Sequence, residues 1–191
     1  MPANSRQLII DAAAEVFSRC GYHLSSMDAI AESAGVAKGT LYYHFPGKSA
    51  LLRSVIIEGL EMLTQETRSC IQSAQDFDSS LRRIIHSHMK IYTDFQDLAT
   101  LVFNESITGL DQQYFEQIRA AKQSHLSMLA SLFDLGCQQG VCRKIDFDLA
   151  SQCFITLIDC TCRYYLKKPD ELTAGQMEET LYQFISSGLL I

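Results

Sequence analysis

The 191-residue chain is 47% hydrophobic and 20% charged, with a formal net charge of -6, which excludes a disordered chain and a broadly basic nucleic-acid coat. No apolar run is long enough to span a bilayer, and the N-terminus MPANSRQ lacks the apolar core of a signal peptide, so a cytoplasmic protein is expected. Seven cysteines, odd in number and dispersed through helical segments, fit reduced packing thiols better than a disulfide framework.

The first element that its residues delimit begins at Ser25. Ser25 and Asp28, three residues apart, predict a capping box in which the hydroxyl takes an orphan amide and the carboxylate reaches back. Ile30 and Ala34 give the helix a buried face, Ala31 lets a second helix approach, and Gly35 supplies the left-handed residue that ends it. Val36 and Leu41 pack back on this helix. The second helix runs from about Ala37 to His44 and stops before Pro46-Gly47, because the residue preceding proline is driven out of the helical region. Its exposed face keeps Lys38, Thr40, Tyr42, Tyr43 and His44. Two short helices at a sharp turn make the layout of a helix-turn-helix.

Several of these residues suit duplex DNA. Ser25 or Ser26 and Lys48 lie at helix N-termini, where amides and a cation grip phosphate. Thr40 can meet a thymine methyl or a polar base edge, and Gly39 lets the helix sit close to the groove. No Arg or Asn lies on this helix, which leaves Lys38 as the leading candidate for reading guanine. Tyr43 suits packing and contact equally, whereas Phe45 suits packing.

The run Gly39-Thr40-Leu41-Tyr42-Tyr43-His44-Phe45, followed by Lys48-Ser49-Ala50-Leu51-Leu52, resembles the DNA-binding domain of TetR/AcrR-family transcriptional regulators. The match extends upstream through Arg6 to Ala13 and Phe17 to Gly21-Tyr22, which looks like the family's first helix and its terminating glycine. The resemblance implies backbone contacts by Tyr42 and His44. One departure is visible at Met27-Asp28-Ala29, where a basic residue often precedes an acidic one in the family. Residues 1–53 carry five basic and four acidic side chains, a balance of +1 that leaves -7 elsewhere, so binding must rest on a few placed cations and on a dimer.

Helical periodicity continues almost throughout, with few prolines and no linker, which predicts an all-α protein whose two domains share a helix from Ser49 to about Ser73. The expected division is a reader at 1–48 and a ligand-sensing and dimerisation domain at 49–191. The helix from about Ser79 to Phe95 places Leu81, Ile85, His88, Tyr92 and Phe95 on one stripe, with His86 outside it. A shorter helix from Leu98 to Ile107 buries Leu101 and Val102, sets Asn104 and Glu105 among them, and ends at Gly109. From Gln112 to about Gln138, a long helix lines up Ile118, Ala121, His125, Met128 and Leu132.

The segment Leu149 to Leu166 is apolar on two sides and so needs two partners; Lys167-Lys168 and Pro169 end it. The last helix, Thr173 to Leu190, stripes Met177, Leu181, Phe184, Ile185 and Leu189. Similar proteins dimerise through these last two helices in a four-helix bundle, and the doubly apolar helix supports the same here. Asp159 inside it is read as an ion pair with Arg163. Cys160 and Cys162, about 200° apart on a helix, make a poor chelate, whereas Cys137 and Cys142 bracket Gly140 in a turn and are the pair to watch for oxidation.

The inward polar groups His88, Tyr92, Asn104, Glu105 and His125 either satisfy one another in an ordinary core or, taken together, line a polar-studded ligand cavity. A divalent metal on His88, Glu105 and His125 has acceptable ligand types, but its geometry cannot be read from sequence; no metal or cofactor is assigned. No nucleophile–base grouping or phosphate-cradling glycine loop points to an enzyme. The expected function is a homodimeric, ligand-responsive repressor released from double-stranded operator DNA by a small, largely hydrophobic effector. The competing reading is a DNA-binding structural or division factor without a ligand.

Overall fold

The computed structural model describes residues 5–73, 76–95, 112–167 and 173–191. These form eight helices: α1 (Ser5–Leu24), α2 (Met27–Ser33), α3 (Lys38–His44), α4 (Lys48–Ser73), α5 (Phe77–Asp94), α6 (Gln112–Gln138), α7 (Phe147–Leu166) and α8 (Ala174–Leu189). The chain is all-α as expected. The segment predicted as a helix over 98–107, with Leu101, Val102, Asn104, Glu105 and Gly109, lies outside the described residues, as do Lys168 and Pro169.

Local chemistry sets the helix ends. Gly21 (φ 75°) interrupts α1 and Gly35 (φ 64°) ends α2, both in the left-handed region that side chains disfavour. The α2 cap departs from expectation: Ser26, not Ser25, is the N-cap and accepts from the Ala29 amide at 3.1 Å. The reason is a one-residue competition between neighbouring serines. Ser25 is buried and donates its hydroxyl to the Tyr22 carbonyl at 2.6 Å, which leaves Ser26 to face the helix start. At the far end of the chain, Asp146 caps α7 through the Leu149 amide, so this helix starts two residues before the predicted Leu149. Thr173 and Gln176 form a complete capping box on α8.

The described residues fall into two compact units, one drawn from 1–60 and 95–121, the other from 61–94 and 122–191. In the first unit, α1, α2 and α3 pack against one another. Ile9, Phe17, Ile30, Leu41, Leu51 and Leu52 are fully buried there, each worth about 1.5–3 kcal/mol of burial. Val36 donates its amide to the Ala31 carbonyl at 3.0 Å, closing the turn between α2 and α3.

In the second unit, α5, α7 and α8 pack pairwise. Leu81, Ile84, Ile85, Leu129, Phe133, Phe154, Ile158, Cys162 and Leu181 form its interior. Phe95, expected on the α5 stripe, is 37% exposed because α5 ends at Asp94. A polar seam ties α5 to α8: Arg82 pairs with Glu179 at 2.8 Å and lies 3.4 Å over the Tyr182 ring, and the Tyr182 hydroxyl donates to Asp78. The C-terminus is held by a short antiparallel bridge in which Arg143 donates to the Leu189 carbonyl at 2.9 Å.

The two apolar sides of α7 have different fates. Phe154, Ile155, Ile158 and Cys162 are buried, whereas Leu149 remains 62% exposed and, with Cys153, Leu157 and the 68% exposed Phe184 of α8, lines an open apolar groove. Packing was expected for all seven cysteines. Cys153 and Cys160 are instead exposed, because they lie on the solvent side of α7.

Candidate functional site

Helix α3 presents a polar and aromatic face because Leu41, and Phe45 just beyond its end, are the residues it sends into the core. On the other side, Tyr42 is 51% and Tyr43 85% exposed, and Thr40 is half-buried. A Cβ built on Gly39 meets nothing within 4 Å, so the protein itself gives no reason for a glycine inside this helix. Such a glycine costs about 0.5–1 kcal/mol relative to alanine in a helix interior. His44 shares a 2.8 Å hydrogen bond between its Nε2 and Ser5 Oγ, which links the end of α3 to the start of α1.

The two lysines differ in their surroundings. Lys38 Nζ lies 2.6 Å from Asp28 Oδ2, both side chains being well exposed, and that contact raises the Lys38 pKa above its ordinary value. Lys48 Nζ donates to the carbonyls of Tyr22 (2.7 Å), Ser25 (2.9 Å) and His23 (3.3 Å) and sits 4.6 Å over the Tyr22 ring. In this structure it therefore fastens the end of α1 and Ser25 just beyond it. Ser25 faces inward on the Tyr22 carbonyl, while Ser26 is exposed at the start of α2.

In the second unit the structure brings together three of the inward polar residues in two chains of hydrogen bonds. His88 Nδ1 lies 2.8 Å from the Ile84 carbonyl, which can only accept, so Nδ1 carries a proton. Burial, and then the neighbouring His125, pushes the His88 pKa down to about 3, and burial takes His125 to about 4. Both rings are therefore neutral at pH 7. His88 Nε2 must accept from His125 Nε2 across 2.9 Å, and His125 Nδ1 accepts from the Thr64 hydroxyl at 3.2 Å. Each Nε2 is committed to this bond, and no group of three metal-binding side chains occurs among the described residues.

The second chain joins Tyr92 to Asp159. The Tyr92 hydroxyl donates to one carboxylate oxygen and Arg163 pairs with the other. The expected Asp159–Arg163 pair is present, with Tyr92 as an added member. Tyr92 and Asp159 are 1% and 5% exposed. Sequence periodicity placed both histidines inward but gave no sign of Thr64 or of the neighbouring Thr67, whose hydroxyl is fully buried without a hydrogen-bond partner. Their spacing on α4 was the available signal. The Asp28–Lys38 contact was missed because Asp28 was assigned to its own helix cap.

Comparison with known proteins places both halves of the chain in one group. The model of the tetR family of bacterial regulatory proteins matches residues 9–55, and that of the tetracyclin repressor-like C-terminal domain matches residues 74–189. The fatty acid metabolism regulator protein of Bacillus subtilis is 26% identical over 182 residues, covering 95% of this chain and 93% of its own. The transcriptional activator FasR of Mycolicibacterium smegmatis is 28% identical over 194 residues, covering 99% and 85%. Among solved structures, the fatty acid degradation regulator FadR of Bacillus halodurans superposes with a TM-score of 0.82 at 25% identity, covering 98% of this chain and 97% of its own. FadR of Bacillus subtilis in complex with stearoyl-CoA gives 0.79 at 26% identity, covering 95% and 98%.

Proposed function

Because the chain belongs to the TetR family of bacterial regulatory proteins, we propose that it is a homodimeric transcriptional repressor, released from its operator by a fatty acyl-CoA. The observation that carries the DNA-binding part is the exposed face of α3, where Tyr42 and Tyr43 remain in solvent although the adjoining Leu41 is fully buried. Lys38, Thr40, Tyr42, Tyr43 and Ser26 are assigned to the duplex and Gly39 to close approach. His44 and Lys48 are assigned to holding α3 and the start of α2 in place.

The dimer is assigned to α7 and α8. Leu149, Cys153, Leu157 and Phe184 form an apolar surface that a second copy covers, in keeping with a self-complementary two-fold interface. A dimer sets two α3 helices at major grooves about 34–36 Å apart, one helical turn of DNA.

The effector assignment rests on the stearoyl-CoA bound by the Bacillus subtilis relative and on the buried polar groups of the second unit. Thr67 has a hydroxyl with no partner, and the Thr64–His125–His88 chain is fully neutral, so these groups suit an uncharged polar function such as a thioester better than a free carboxylate. Helices α4 and α6 each contribute residues to both units, so displacement of one part of either helix is carried along continuous backbone. The effector binds better to the form with misplaced recognition helices, and linkage requires DNA to weaken effector binding by the same factor. The assigned chemistry is binding, without turnover, in the cytoplasm.

The test is fluorescence anisotropy of the full chain on a selected duplex, titrated with acyl-CoAs from acetyl to stearoyl, with free CoA and free fatty acid as controls. Release by long-chain acyl-CoA alone is expected. Stable DNA binding unaffected by every thioester would favour the ligand-independent structural factor.

A further inference from the structure

We propose that Asp28 is the positioning residue that makes Lys38 a base reader: its carboxylate holds one donor of the ammonium and presents the other two to an acceptor-rich base edge, such as guanine O6 and N7. The inference rests on the DNA-binding reading of α3. Asp28 stands in the first turn of α2, where its own helix start offers it amides to cap. It instead lies 2.6 Å from Lys38 Nζ, ten residues on, across the turn between α2 and α3. That crossing is set by the interior: Ile30, Ala31 and Leu41 are buried in one cluster, and the Val36–Ala31 backbone bond closes the turn.

The consequence follows from what a lysine is. An ammonium on a flexible four-carbon stem is a point charge that meets any phosphate equally well, whereas guanine recognition needs two donors aimed at adjacent acceptors. An ammonium has three donors. With one fixed on Asp28, the remaining two project from a tethered nitrogen, much as an arginine fork does. The carboxylate also cancels the charge that would otherwise hold the chain to DNA of every sequence. The pair is exposed on both sides, at 66% and 60% of the side-chain surface, so a base edge can reach it. No arginine or asparagine on α3 competes for this role, and the Lys48 ammonium is occupied by three carbonyls.

The experiment compares the full-length chain with Asp28→Asn, Lys38→Ala and the double variant, each checked for an unchanged thermal transition. Affinities are measured for a selected duplex and an unrelated duplex over a range of salt. In Asp28→Asn, binding to unrelated DNA is expected to rise about fivefold at low salt and its salt slope to steepen by about one phosphate, as Lys38 becomes a free cation. Discrimination between the two duplexes should fall about tenfold, with loss of one preferred base pair per half-site. In the Lys38→Ala background, the same Asp28 change should alter discrimination less than about twofold. An unchanged ratio in Asp28→Asn, or an equal change with and without Lys38, would overturn the tether. If the unaltered chain bound no duplex at all, the DNA-binding reading itself would fall.

Discussion

His88 and His125 meet Nε2 to Nε2 across 2.9 Å, both rings almost wholly buried. Because His88 Nδ1 donates to the Ile84 carbonyl, the pair has one consistent neutral arrangement. Protonating His88 at Nε2 places two donors against each other, and a charge on either ring is buried inside the second unit.

Acid should therefore destabilise the fold before the carboxylates titrate. Both folded pKa values, about 3 and about 4, lie below the ordinary histidine value of 6.5, so the unfolded chain takes up protons first. The contribution is complete above pH 6.5 and is lost as pH falls toward 4, by about 2 kcal/mol per ring at pH 5. Denaturant melts between pH 4.5 and 8 check this. In His88→Leu/His125→Leu, which removes both rings, the loss of stability between pH 7 and 5 should shrink by most of that amount.

Removing one member of the pair should cost more than removing both partners' polarity. His125→Leu leaves the His88 Nε2 acceptor, inside the second unit, without its His125 donor, at a cost of about 1–3 kcal/mol. A double-mutant cycle with His88→Leu measures the coupling.

Asp159 is the buried anion to which Tyr92 and Arg163 are both tied. Asp159→Leu removes the buried carboxylate on which Tyr92 and Arg163 converge and is expected to lower stability by about 1–3 kcal/mol, whereas Arg163→Gln, at a half-exposed position, should cost less. Thermal unfolding of the single variants separates the two.

Phe184→Glu puts a charge on the exposed apolar groove. It is expected to leave the fold intact and to dissociate the dimer, which sedimentation across a concentration series reads. Operator affinity should fall with it, since each protomer then holds a single recognition helix.

Lys48→Ala tests the fastening of α1 to α2. Loss of the Tyr22, His23 and Ser25 contacts should lower stability by about 1–3 kcal/mol and weaken binding to all duplexes alike, without relaxing base preference. Thermal melts and a panel of single-base operator variants check both parts.

What could be read from sequence follows from the range of the interaction. Gly35 and Pro46 act on their own backbone, so the turn between α2 and α3 and the end of α3 were legible. The inward position of His88 and His125 followed from helical spacing alone. That they meet each other depends on which helices pack together, which periodicity does not encode. Ser25 and Ser26 were confused because either serine satisfies the local capping rule, and burial beside Tyr22 decides between them. Asp28 was misassigned for a related reason: a nearby rule concealed a partner ten residues away. The exposed half of α7 was visible as excess apolar surface, though the identity of its groove required Phe184 from α8.

The central claim is a two-fold dimer that inserts one α3 per protomer into duplex DNA, and selection from random duplexes with the full-length chain tests it most directly. The account predicts an inverted repeat whose half-sites are centred about one helical turn apart, or a multiple of it, bound by an even number of protomers. Enrichment of an isolated half-site bound by one protomer, or of no sequence at all, would contradict it.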